Sequence, residues 1–248
     1  VPDTIGDVID DLRGIEQRLP PGDGVRTFTR VYREVTQRLA LRLHQPGRFT
    51  DPLFVERLDV VFAQLFLDAE ASAADQRPVP HAWEPLMAAR ATPGVLPIQH
   101  ALAGMNAHIN HDLAIAVLRT CQETNRPPTE RAVALDYAAV TDVLAEVVRA
   151  IRQSFLHRVA VQVGSPLSTV ADAVSVWSID KARDAAWTMS RTVWEIRALP
   201  PLVAAFSQTL GRTVGAISRP LLMPLGAGAA VTEDDAVERL LAAVPPGG

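Results

Sequence analysis

The chain is 248 residues long, 48% apolar and 5% aromatic, with a formal net charge of −4 and a single cysteine, Cys121. That length suits one large domain, and no shift in composition along the chain demands two. The acidic balance argues against a nucleic-acid surface, the lone cysteine excludes an internal disulfide, and no apolar run of about 18 residues suggests a membrane span.

Lys181 is the only lysine, so arginine carries nearly all of the positive charge. The arginines alternate with acids such as Asp10, Asp11, Glu16, Glu34, Glu56 and Asp59, a solvated pattern without a basic patch. Such a bias reads as the composition of a GC-rich genome. The start, Val1-Pro2-Asp3-Thr4, has no basic stretch leading into an apolar one, and the expectation is a cytoplasmic protein.

Thr4 with Asp7 predicts a capped helix in which Ile5, Val8, Ile9, Leu12, Ile15 and Leu19 recur at helical spacing, closed by Pro20-Pro21-Gly22. From Val25 to Leu43 the set Phe28, Val31, Tyr32, Val35, Leu39 and Leu43 repeats at three and four, and Pro46-Gly47 ends it. Asp51-Pro52 supplies a cap and a first-turn proline for a third helix. Its buried face carries Val55, Leu58, Val61, Phe62, Leu65, Phe66 and Ala69, with Asp59 beside it. Prolines between Arg77 and Pro97 leave room only for a short helix near Glu84 to Ala91, in a connector that carries Trp83.

A central, almost wholly apolar helix then runs from about Pro97 to Glu123, and Thr129 caps a long one reaching about His157, with Asp136 and Tyr137 in its first turns. Val159 to Val163 alternates like a strand but has no partner. Gly164-Ser165-Pro166 restarts a helical pattern, divided near Ser178 and carrying Trp177, which Pro200-Pro201 ends; another apolar helix covers about Leu202 to Ile217. Residues 1–219 therefore read as an all-α, single-domain multi-helix bundle around the central helix. Residues 220–248 read as a Pro/Gly/Ala-rich tail with one short helix at Thr232 to Ala243. His44, His81, His100 and His157 fall at helix ends or in loops, as solvent-side or capping residues.

The central helix contains Gly104-Met-Asn-Ala-His-Ile-Asn-His-Asp-Leu113, which sets five polar side chains inside an apolar element. At about 100° per residue, His108 and Asp112 share one face with His111 beside them, while Asn106 and Asn110 share another. Burying that many hydrogen-bonding groups requires partners from neighbouring helices or a cavity. The spacing of His108 and Asp112 lets a carboxylate orient an imidazole as a general base, or lets both bind one ion. The plain alternative is that the two simply satisfy each other. Gly-rich phosphate loops, a Gly-x-Ser-x-Gly elbow, a His-Glu-x-x-His zinc helix and a Glu-x-x-His pair are all missing from the sequence. Tyr32, Asp59, Asp136 and Tyr137 could complete a site from other helices, and Arg183 with Trp187 forms an i, i+4 pair that could stack or offer a guanidinium to a ligand.

The central motif resembles the signature of an actinobacterial family of domains of unknown function. The similarity extends to Phe49-Thr-Asp-Pro52, Leu58-Asp59, Phe62-Ala63, Pro80-His-Ala-Trp83 and Ala182-Arg-Asp-Ala-Ala-Trp187, and covers most of residues 25 to 197. What the resemblance implies is a helical domain centred on Asn106, His108, Asn110 and Asp112, with no reaction attached.

The leading expectation is a small-molecule enzyme of the cyclase, isomerase or lyase type, acting on a hydrophobic or amphipathic compound in an interhelical pocket. His108 would be the acid/base, Asp112 its orienting partner, and Asn106 or Asn110 donors to a developing oxyanion. Tyr32, Asp59, His111, Tyr137, Arg183 and Trp187 would contact substrate, and no cofactor is favoured. The runner-up is a metal-dependent hydrolase or oxidase with His108 and Asp112 as ligands, completed by Asp59, His111 or Asp136. The third is a noncatalytic binding protein for an apolar ligand. No heptad seam stands out, and oligomeric state is open.

Overall fold

A computed structural model describes residues 1–160 and 179–224, and within them the side chains of 1–145 and 180–224. The expectations for Val159 to Val163 as a strand, the restart at Gly164, Trp177, the break near Ser178 and the helix at Thr232 to Ala243 lie wholly or partly outside these residues. The described residues are all-α. In chain order they form α1 (Ile5–Arg18), α2 (Gly24–Leu43), α3 (Pro52–Ala74), α4 (Glu84–Ala89) and α5 (Pro97–Ala107). A π-helical turn (His108–Asp112) follows, then α6 (Leu113–Glu123), α7 (Arg131–Ala160), α8 (Ile179–Glu195) and α9 (Pro200–Leu221).

The caps lie where local chemistry puts them. Thr4 and Asp7 close a capping box on α1, Asp23 accepts from the backbone N–H of Val25 and Arg26 at the head of α2, and Asp51 does the same for Leu53 and Phe54 ahead of Pro52. Asp136 spans two elements. Its carboxylate accepts from Thr50 N at 2.6 Å and Asp51 N at 2.9 Å, so α7 holds the start of α3.

The continuous helix from Pro97 to Glu123 is the axis of the bundle. Its first half packs against α2 and α9, and its second half against α3 and α8, while α1 covers α2. Gly104 sets the approach of α2, because a Cβ there would run into the Phe28 ring. Gly215 does the same for α9, whose backbone lies against the carbonyl of His81. Among the described residues, no helix is long and apolar enough to cross a membrane.

Two details differ from the sequence reading. His100 is buried inside α5, not a solvent-side residue; its ring lies over Gly24, which has no side chain to exclude it, and its Nε2 is 3.2 Å from the Ala89 carbonyl. The last of the described helices begins at Pro200 and continues through Pro220 to Leu221, past the 219 boundary. Proline is tolerated in a first turn, and Gln99 holds the far end by donating to the carbonyls of Leu221 (2.8 Å) and Met223 (2.9 Å).

Candidate functional site

The axial helix does not pass through the motif as a plain α-helix. Leu113 N–H bonds back to the His108 carbonyl, five residues earlier, so His108 to Asp112 form one π turn. Such turns are rare and concentrate at functional sites. A wider turn reduces the angle between successive side chains, which brings His111 toward its neighbour Asp112 while keeping His108 within reach.

The Asp112 carboxylate sits at the centre of what results. Its Oδ2 lies 2.9 Å from His108 Nδ1 and accepts from Trp83 Nε1 at 3.0 Å, and its Oδ1 lies 2.6 Å from His111 Nδ1. Burial pushes this carboxyl up, but hydrogen bonds from His108 and His111 outweigh that and hold it below its ordinary range. An ionised carboxylate only accepts, so both imidazoles present Nδ1–H to it and keep Nε2 as the outer nitrogen.

The two outer nitrogens look into different surroundings. His108 stacks on Phe62 (3.6 Å between centroids, 7° between planes), meets the edge of Tyr32 at 4.6 Å, and has Phe28, Phe66 and Trp83 around it. Burial lowers its pKa against the pull of Asp112, so the ring is neutral. Its Nε2 has no hydrogen-bond partner among the described residues, and neither do Tyr32 Oη and Asp59 Oδ2. Burial, with Glu56 nearby, raises the Asp59 carboxyl to about 7, and burial with Asp59 raises Tyr32 well above its ordinary value.

His111 instead lines an open cleft of about 940 Å³ between α3, α6, α8 and α9 and the loop at Val79 to His81. Its Nε2 lies 3.4 Å from Ser207 Oγ of α9. Gly211, one turn on, also faces the imidazole, where a Cβ would stand in ordinary contact 3.4 Å from Nε2. The cleft walls are largely apolar, with Leu65, Ile115, Leu118, Val203 and Phe206 among them.

Tyr32, Asp59, His108, His111 and Asp112 are thus brought to one side of the bundle's axis or the other around a single turn. Others expected at the site are not. Asn106 uses both amide hydrogens on α9, donating to Val214 O at 3.1 Å and Ser218 Oγ at 2.9 Å, and Asn110 donates to Asn106 Oδ1 at 2.9 Å. Asn106 fastens α9 to the axis, with Asn110 bonded to it from the next turn, and Asn106 has no donor left for an oxyanion. Tyr137 donates to the Arg183 carbonyl and stacks on Trp187 at 4.6 Å. Arg183 pairs with Asp142 and Asp180 and not with Trp187, so this trio joins α7 to α8 and does not line the cleft. Asp136 is engaged at the start of α3. Among the described residues, no group of three His, Cys, Asp or Glu side chains could hold a metal ion. Cys121 is buried, which raises its thiol to about 12.

The sequence reading missed Ser207 and Gly211, and it read Trp83 only as part of a connector. Ser207-x-x-x-Gly211-x-x-x-Gly215-x-x-Ser218 marks the face of α9 that lies on the axis, a small-residue stripe visible in the sequence.

A sequence model of a family of unknown function (DUF5995) matches residues 5–224. The match extends past residues 25 to 197 at both ends, taking in α1 and α9. No curated protein and no solved structure matches the chain.

Proposed function

The chain belongs to this family of unknown function, and we propose that it is a small-molecule acid/base enzyme whose proton-transfer atom is Nε2 of His111, with substrate held in the cleft beside Ser207. One observation carries this reading. A single buried carboxylate orients two imidazoles, and of the two it is His111 that lines a cleft large enough for a substrate. Asp112 fixes the tautomer and stabilises the imidazolium that forms when Nε2 takes a proton. His108 and Trp83 donate to the same carboxylate and keep it ionised and in place. This chemistry suits cyclisation, isomerisation or elimination, in which a proton leaves one substrate atom and is returned to another.

The test is incubation of the purified protein with a fractionated extract of small molecules, followed by mass spectrometry of what is consumed and formed, with His111→Gln as control. Conversion by the wild type that is lost in a folded His111→Gln variant supports the reading. Equal conversion by both overturns the role of His111. A compound retained but never converted identifies a binding protein.

A further inference from the structure

We infer that the compound taken by the His111 cleft is an anionic amphiphile: one free molecule with a phosphate or carboxylate head and an apolar body. The inference rests on the cleft being the substrate site, and it adds the chemical class.

Three arginines from three separate segments line this cleft: Arg119 of α6, Arg197 just after α8 and Arg212 of α9. None of them pairs with a carboxylate among the described residues, in a protein whose arginines elsewhere are commonly so engaged. Arg18 holds Glu70, Arg33 holds Glu16, Arg57 holds Glu123, Arg90 holds Asp23 and Arg126 holds Asp51. Among the described residues, the carboxylates that line the cleft are Asp68 and Glu84, and neither is paired with one of these arginines. Asp68 accepts from Gln64 at 2.6 Å, and Glu84 lies 2.8 Å from His81 Nδ1. Arg119, Arg197 and Arg212 outnumber Asp68 and Glu84, so the described lining is positive by one charge on a chain that is acidic as a whole.

Arg197 is also held in position. Its guanidinium lies over the Trp194 ring at 4.1 Å from the centroid and donates to the Trp194 carbonyl at 2.6 Å, which leaves its other N–H groups on a fixed fork. A fork of that kind suits the oxygens of phosphate or carboxylate, and its fixed placement reduces the ordering needed on binding. The same cleft carries apolar side chains, Leu65, Ile115, Leu118, Val203 and Phe206 among them. The head then sits among the guanidiniums while the body lies on this surface, within reach of His111.

The experiment is isothermal titration of the full chain with decyl phosphate, decanol and decyltrimethylammonium at monomeric concentrations, and with phosphatidylglycerol vesicles. Decyl phosphate should bind about tenfold or more tighter than decanol, with a preference that shrinks as salt is raised. The triple variant Arg119→Gln/Arg197→Gln/Arg212→Gln should lose the preference and keep the affinity for decanol. All three side chains are exposed, so its melting temperature should match the wild type. Binding is read here without turnover, so loss of the preference in the triple variant tests this inference whether or not His111 transfers protons. Equal binding of the three amphiphiles, an unchanged preference in the triple variant, or binding to vesicles alone would each overturn it.

Discussion

His111 Nδ1 lies 2.6 Å from Oδ1 of Asp112, the residue that follows it in the chain. Neighbouring side chains on a regular α-helix point about 100° apart and do not meet in this way. The π turn brings them together, and it does so on the side where α9 and the cleft lie. The same carboxylate holds His108 on the aromatic side, so any change at Asp112 acts on both imidazoles.

Replacing Asp112 by Asn removes a buried charge that accepts from three donors. A loss of about 3–5 kcal/mol is expected, or roughly 6–20 °C in melting temperature for a domain of this size. Thermal denaturation followed by circular dichroism measures it, and a shift under about 2 °C would show that the triad of donors holds little of the fold.

The two histidines should separate in their effects. His111→Gln keeps an amide within reach of Asp112 but loses the imidazole nitrogen that faces the cleft, so turnover should fall about 10²- to 10⁴-fold with the melting temperature nearly unchanged. His108→Gln loses the stacking on Phe62 and leaves a polar amide among aromatic rings, so it should lower the melting temperature more than His111→Gln does. Turnover and melting curves on the same preparations distinguish the two; the reverse order would place the proton transfer at His108.

Asp59 gives a pH dependence of stability whose sign follows from its raised pKa. The folded protein binds this proton up to about 7, while the unfolded chain releases it near 3.8. Between those values the folded state holds more protons, so the Asp59 contribution to stability falls as pH rises through that window and is flat above it. The full difference is on the order of 4 kcal/mol. Asp59→Asn should therefore stabilise the protein at pH 8 relative to wild type, with the gain shrinking toward pH 4. Denaturant titrations across that range test it, and a gain that grows at low pH contradicts the assignment.

Gly215→Ala places a methyl group on the His81 carbonyl, and backbone there cannot rotate aside as a side chain can. A cost of about 1–3 kcal/mol is expected, with α9 displaced from the axis. Because Ser207 and Gly211 belong to the same helix, the Ser207 to His111 distance should lengthen. A crystal structure of the variant reads this directly, and an unmoved α9 would mean that the loop at His81 yields instead.

The helix content was legible because its causes are local. The capping box at Thr4 and Asp7, the Asp51-Pro52 start and the three-and-four spacing of Phe28, Val31 and Val35 act within a turn or two of chain, and all appear where the sequence predicts. The pairing of His108 with Asp112 was legible for the same reason, as an i, i+4 relation on one element. Asn106 shows where this stops. Its place inside an apolar helix announced a need for partners, but Val214 and Ser218, more than a hundred residues away, decided that those partners are structural. Trp187 is similar. Arg183 is its partner by spacing, yet Tyr137 of another helix takes its face.

The sequence by itself determined an all-α chain organised around one apolar helix, and it located the turn where polar groups gather, because periodicity, caps and side-chain spacing follow from the chain's own geometry. Which nitrogen of that turn faces a cleft was decided by tertiary structure. The π turn and the small-residue stripe of α9 leave His111 beside Ser207, while α2, α3 and Trp83 close aromatic rings around His108. Side chains on one turn differ only in direction, and what lies in each direction is set by helices packed from distant parts of the chain.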